Sequence, residues 1–145
     1  MCYRDRKEEQ EVVLSLLQER LIKEHINVKD IKPITLVDTE GVVWYQGFED
    51  DFMILEKGNK TILFEIVSFA KNENVWYLLQ HGKLYNFIEK KDYDELILLC
   101  HQTILETIKQ AKMIGARIIV EKIYETEKDL LNDDPWKSIF KNNER

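Results

Sequence analysis

The chain has 145 residues, which is most simply one domain and is long enough to bury an apolar core. Hydrophobic residues make up 44% and charged residues 33%, as in a soluble globular protein, and no apolar run has the length of a membrane span. The net charge of −6 counts against broad, non-specific nucleic-acid binding through a basic surface. The first ten residues lack the apolar core of a signal peptide, so we expect a cytoplasmic protein with no membrane partner.

The first half of the chain predicts one helix followed by two β-hairpins. Apolar side chains recur at helical spacing from about Glu8 to Ile26, and Pro33 then excludes further helix. Residues 34–47 carry β-branched and aromatic side chains around a turn signal, which favours a first hairpin. Residues 51–68 have the same character around the turn sequence EKGNK, which predicts a second hairpin.

The second half alternates helices with strands. The spacing predicts a long helix over Asn72–Lys90, with Gly82 marking a close packing contact in its middle. A buried strand at 95–100, a helix at 103–116 and a strand at 117–124 follow. Such alternation implies crossovers and a parallel portion, so the predicted class is α/β, a mixed β-sheet flanked by helices in the order α-β-β-β-β-α-β-α-β.

The last residues are predicted to be a tail outside this single domain, which spans residues 1–124. Within 125–145 we expect a short helix before Asp133. The apolar residues Trp136, Ile139 and Phe140 are then expected to dock on the body or on a second subunit, and a homodimer is the assembly that we predict.

A glutamate stands inside an otherwise apolar strand of the second hairpin. Because strand side chains alternate between faces, Leu63, Glu65 and Val67 share one face. A two-residue turn aligns Asp50 with that face, whereas a three-residue turn with a bulge sets Asp51 opposite Glu65. In either register two carboxylates converge across adjacent strands, and such a pair suits Mg²⁺ or Mn²⁺.

This succession of elements, with an acid before the glycine turn and Glu65 after it, resembles the PD-(D/E)XK nuclease superfamily. The resemblance covers roughly Glu8 to Tyr124 and is closest to small archaeal members of unknown function, more distantly to archaeal Holliday-junction resolvases. It implies a restriction-endonuclease-like, three-layer core. It also implies metal-dependent phosphodiester hydrolysis, with DNA as the partner.

The resemblance assigns roles to particular residues. It implies Asp51, by strand parity, and Glu65 as metal ligands, with a further acid from the first helix, Glu19 or Glu24. In the family the strand reads Glu-X-Lys, but this chain has Val67 at the lysine position. We therefore expect one of three outcomes. Lys71 or Lys83 replaces the catalytic lysine, or the metal alone supports slow cleavage, or cleavage is lost and the protein is a binding or assembly module.

Other residues have simpler interpretations. The family's Gln-X-X-X-Tyr signature is altered, because His81 stands four residues before Tyr85 and Gln80 is one position off. The histidines His25, His81 and His101 form no metal-spaced cluster, and each is expected to be a surface or interface residue and not a ligand, although His81 is the best placed to face the acidic pair. Trp44, Tyr45, Trp76 and Tyr77 can stack on bases, although core or interface packing explains them more readily.

Overall fold

The computed structural model describes residues 6–132, which form a five-stranded mixed sheet with helices against both faces. The helices are α1 (Arg6–Lys23), α2 (Asn72–Glu89), α3 (Leu105–Met113) and α4 (Glu127–Asn132), with a 3₁₀ turn at Val28–Asp30. The strands are β1 (Lys32–Asp38), β2 (Phe48–Lys57), β3 (Lys60–Ala70), β4 (Glu95–Ile104) and β5 (Arg117–Tyr124). The predicted α/β class with a mixed, helix-flanked sheet is confirmed.

The strands lie side by side in the order of the chain, from β1 to β5. The first three are antiparallel, because short connections join them, and β4 and β5 continue the sheet in parallel through α2 and α3. The turn between β2 and β3 has two residues, Gly58 and Asn59, and Lys57 pairs with Lys60 across it. Gly58 has φ of +64°, a left-handed conformation that a glycine adopts without strain.

Three successive strands precede α2, not the four that the sequence predicted. Residues 39–47 form a loop, because the Asp38 carboxylate accepts hydrogen bonds from the backbone N–H groups of Val42, Val43 and Trp44 at 2.8, 2.9 and 2.8 Å. Those groups are then unavailable to a strand ladder. Burial opposes ionisation of Asp38, which is 1% exposed, but these N–H donors hold its pKa below the ordinary value.

Alternation along the strands divides the core into two layers. Phe64, Ile66 and their counterparts on β4 face α1, where they pack against Val13, Leu17 and Leu21. Leu63 and its neighbours on the other face pack against α2 and α3. Glu65 belongs by parity to this second face, so the strand carries its carboxylate toward α2.

Two local predictions are confirmed. A Cβ atom on Gly82 would lie 2.6 Å from Cε2 of Tyr93, so only glycine permits this approach of α2 to the following loop. The short helix expected before Asp133 is α4, whose Leu130 is buried. The predicted docking of Trp136, Ile139 and Phe140 lies outside the described residues. None of the helices formed by residues 6–132 is long and apolar enough to cross a membrane.

Candidate functional site

A cavity of about 680 Å³ opens where the start of β2, the end of β3 and one side of α2 meet. Among the described residues, carboxylates, aromatic rings and the guanidinium of Arg6 line it, and so does Val67. The position that the family gives to lysine therefore does face the cavity, but the side chain there is uncharged. The cavity is the place where the sequence predicted a site.

The strand register decides which aspartate joins Glu65. The connecting turn has two residues. Extending the register beyond the pair of Met53 and Phe64 therefore places Phe52 opposite Glu65. Asp50, two residues before Phe52, then lies on the same face of the sheet as Glu65. Asp51 points to the opposite face, is exposed, and accepts a hydrogen bond from the Thr35 hydroxyl at 2.5 Å. The parity expectation that favoured Asp51 is therefore wrong, and the alternative with Asp50 is the one that the structure shows.

His81 lies between the two buried carboxylates. Its Nδ1 is 2.8 Å from Oδ2 of Asp50, and its Nε2 is 3.2 Å from Oε1 of Glu65. All three residues are at most 4% exposed, and the imidazole stacks on the Phe52 ring with centroids 4.6 Å apart. The expectation that His81 is a surface or interface histidine is therefore wrong, and the alternative, that it faces the acidic pair, is the one that the structure shows.

The surroundings favour the protonated form of this imidazole. Burial lowers the pKa of His81, but the hydrogen bonds and charges of Asp50 and Glu65 outweigh it and raise the pKa above the ordinary value. Only a doubly protonated ring donates to both carboxylates at once. The geometry of the site therefore favours an imidazolium between the two carboxylates.

Three further residues complete the polar rim. One guanidinium nitrogen of Arg6 lies 3.8 Å from Oε1 of Glu65 and 3.4 Å from the carbonyl oxygen of Asp51. The amide nitrogen of Asn74 is 3.5 Å from the other Glu65 oxygen. From α1, Glu9 accepts the backbone N–H of Ser68 at 2.7 Å, which fixes the helix start beside the end of β3.

Aromatic side chains form another wall of the cavity. The loop that Asp38 holds carries Trp44, whose ring lies 5.3 Å from Phe48 and 6.0 Å from Tyr77. On α2, Asn74, Tyr77 and His81 follow one another at spacings of three and four, so they share one helix side. Trp76 packs edge-on against Trp44 at 5.4 Å but is half exposed.

The structure does not bring the predicted lysines to this cavity. Lys71 precedes α2, is exposed, and holds its amine 5.6 Å from the centroid of the Phe69 ring. Lys83 is exposed on the side of α2 away from His81. Among the described residues that line the cavity, none is a lysine. The catalytic roles given to these two residues stay predictions without support from the geometry.

The acids expected from the first helix are also elsewhere. Glu19 is exposed and stands ten residues beyond Glu9 on α1, about 15 Å along the helix axis. Glu24 pairs with Arg117, whose hydrogen bond and charge lower the Glu24 pKa. Glu9 is the acid of α1 that lines the cavity.

The described residues do not fit the divalent metal that the resemblance implies. The imidazole of His81 lies where an ion shared by Asp50 and Glu65 would bind, and it takes one oxygen of each. Within residues 6–132, no group of three or more His, Cys, Asp or Glu side chains is arranged to hold a metal ion. When both of its ring nitrogens are protonated, His81 supplies a positive charge between these carboxylates.

Comparisons with protein families, with curated proteins and with solved structures gave no match to this chain. The likeness to PD-(D/E)XK nucleases therefore stays a prediction that depends on the order of elements and on Glu65.

Sequence reasoning missed Arg6, Glu9, Asp38 and Asn74. For Asn74 a signal existed in the sequence, because it precedes His81 by two helical turns and so lies on the same side of the helix. In the structure its side chain also accepts the N–H of Lys71 at 2.8 Å. Arg6 and Glu9 reach the site only through the packing of α1, which local spacing does not reveal.

Proposed function

We propose that this protein is a non-cleaving relative of the PD-(D/E)XK nucleases, a binding module in which a buried imidazolium replaces the metal ion. The observation that carries the proposal is the position of His81, with one ring nitrogen on Asp50 and the other on Glu65.

Phosphodiester hydrolysis needs positive charge against the phosphate and a group that activates water. Here the charge of His81 is already neutralised by the two carboxylates, and Val67 has neither charge nor exchangeable proton. Among residues 6–132, more acidic than basic side chains line the cavity, so a phosphate would meet a negative surface. These features favour the loss of cleavage over a displaced lysine, and they disfavour DNA binding in this cavity.

The test is an incubation of the full chain with single-stranded, duplex and branched DNA in the presence of Mg²⁺ or Mn²⁺. We expect no cleavage above that of Glu65→Ala protein purified in the same way. Metal-dependent cleavage by the wild-type protein that disappears in Glu65→Ala would overturn the proposal and favour the alternative function, a divalent-metal nuclease.

A second measurement tests the replacement itself. Removing the imidazole in His81→Ala leaves two carboxylates facing one gap, so we expect Mn²⁺ binding at millimolar or lower concentration by electron paramagnetic resonance. The control is His101→Ala, because His101 lies on β4 and does not line the cavity. Its Nε2 is 3.4 Å from Oε1 of Glu121 on β5, and both side chains are partly exposed. Equal Mn²⁺ binding by wild type and both variants would contradict the proposal.

A gain-of-function variant connects the site to the family. Val67 lies on the face of Glu65 and lines the cavity, so Val67→Lys restores the Glu-X-Lys pattern at the right place. We expect Val67→Lys alone to remain silent, because His81 is still between the carboxylates. The double variant His81→Ala/Val67→Lys should show slow Mn²⁺-dependent cleavage.

The predicted homodimer remains a proposal that the fold leaves open. Sedimentation velocity across a tenfold range of protein concentration tests it directly, since a dimer gives a sedimentation coefficient above that of a 17.4 kDa monomer.

A further inference from the structure

We infer that the cavity binds an organic cation, a guanidinium or alkylammonium group, with the attached carbon chain against its aromatic wall. This inference deepens the proposed function, on which it rests, because it names the ligand class of the same cavity.

The first argument is the charge of the lining. Asp50 and Glu65 have His81 and Arg6 as positive partners. By contrast, Glu9 also lines the cavity and accepts from the backbone N–H of Ser68, a neutral donor, so this contact does not compensate its negative charge. The cavity therefore attracts cations and repels phosphate.

The second argument is the aromatic wall. Trp44, Phe48 and Tyr77 line the same cavity as these carboxylates, and the ring of Trp44 contacts the other two. The face of a tryptophan or tyrosine ring attracts an organic cation. It binds an inorganic ion less well, because the water shell of that ion is costly to remove. The loop that holds Trp44 is fixed by three hydrogen bonds to Asp38, so this wall is preformed.

The third argument is a contact that the fold already contains. A guanidinium of the protein, that of Arg6, already lies at the mouth of the cavity, where it contacts the carboxylate of Glu65 and the carbonyl oxygen of Asp51. Its side chain is 54% exposed, so it lines the cavity while remaining open to solvent. The structure thus contains one example of the group that we assign to the ligand.

The experiment titrates the full chain with N-acetyl-arginine amide and follows the indole N–H of Trp44 by NMR. The matched neutral probe is N-acetyl-citrulline amide, which has the same shape without the charge. We expect saturable shifts with the arginine probe and at least tenfold weaker binding of the citrulline probe. Equal binding of the two probes, or no binding of either at 10 mM, would overturn the inference.

Two variants fix the site. Tyr77→Leu removes an aromatic ring from the cavity wall, and Tyr45→Leu makes the same change at a ring that is 67% exposed and does not line the cavity. We expect a three- to tenfold loss of affinity in the first variant and less than a twofold change in the second. The same loss in both would contradict the assigned location.

The sign of a third change separates cation from anion binding. Arg6→Ala removes the positive charge at the entrance, so the affinity for the arginine probe should rise several-fold. Inorganic pyrophosphate, as the anionic probe, should bind no variant. A fall in affinity for the arginine probe, or saturable pyrophosphate binding that Arg6→Ala abolishes, would overturn the inference.

Spermidine distinguishes the source of the group, because a free polyamine has the charge without a peptide backbone. Tighter binding of N-acetyl-arginine amide supports a basic side chain of a partner protein, and tighter binding of spermidine supports a free amine. The DNA cleavage assay remains separate. Cleavage by the wild-type protein sinks the proposed function, whereas absence of both cleavage and cation binding sinks this inference alone.

Discussion

Two regions of the molecule hold a cation between two carboxylates, one inside the protein and one at its surface. His81 bridges Asp50 and Glu65 with side chains about 5% exposed, and Arg117 bridges Glu24 and Glu95 with side chains 22–43% exposed. The surface bridge has short contacts, at 2.5 and 2.6 Å, but water and salt screen it. We therefore expect burial, more than contact distance, to decide how strongly the fold depends on such a cation.

The largest expected effect comes from removing the buried cation. His81→Ala leaves two carboxylates without their partner, and we expect a loss of about 3 kcal/mol in the free energy of unfolding, the lower end of the usual cost because the cavity admits water. Arg117→Ala is the matched surface change and should alter stability by much less. Denaturant unfolding of both variants measures the difference, and similar losses would contradict the comparison.

A smaller effect is expected from Gly82→Ala. The added Cβ meets the Tyr93 ring and would move α2, which carries His81, away from the sheet. Overpacking of this kind costs about 1–3 kcal/mol. Lys83→Ala, at the next position and exposed, serves as the control and should leave the free energy of unfolding nearly unchanged. Equal values for the two variants would show that this close contact does not hold α2 in place.

The third prediction concerns pH. The pKa of His81 is raised in the folded protein, so its contribution to stability is fully present below the unfolded value of about 6.5 and is lost as pH rises through the folded pKa. The stability difference between wild type and His81→Ala should therefore shrink from pH 6 toward alkaline pH. The Glu24 and Glu95 carboxylates raise the pKa of Arg117, so the difference for Arg117→Ala should stay constant over this range.

The smallest expected effect is that of salt. Raising NaCl from 0.1 to 1 M shortens the screening length from about 10 to 3 Å, which weakens exposed pairs more than buried ones. A double-mutant cycle on Arg117 and Glu95 should lose most of its coupling energy in 1 M NaCl. The cycle on His81 and Glu65 should retain most of its coupling, and a parallel decline of both would argue that water reaches the buried pair freely.

Much of the fold was predictable because its elements follow simple periodicities. The last strand was predicted at residues 117–124, as observed, and the alternation of Leu63, Glu65 and Val67 placed the glutamate on the correct face. The loop at 39–47 was not predictable, since its aromatic and β-branched residues favour a strand. A side chain, that of Asp38, satisfies its backbone N–H groups instead.

The site was predictable in part. Glu65 was identified from its place inside an apolar strand, whereas His81 was expected at the surface and named only as an alternative. The choice between Asp50 and Asp51 depended on the length of one turn, which the sequence left open. Arg6 lies 59 positions before Glu65 in the chain and meets it only because α1 packs across the sheet. Such long-range contacts depend on tertiary packing, which one sequence does not specify position by position.

The most direct test of the central claim is the ¹⁵N NMR signal of the His81 ring as a function of pH. The account predicts that both ring nitrogens carry protons at pH 7 and that the midpoint of titration lies above that of an ordinary histidine. It also predicts that added Mn²⁺ leaves this signal sharp. A neutral ring with one bare nitrogen at pH 7, or selective broadening of His81 by Mn²⁺, would contradict the account.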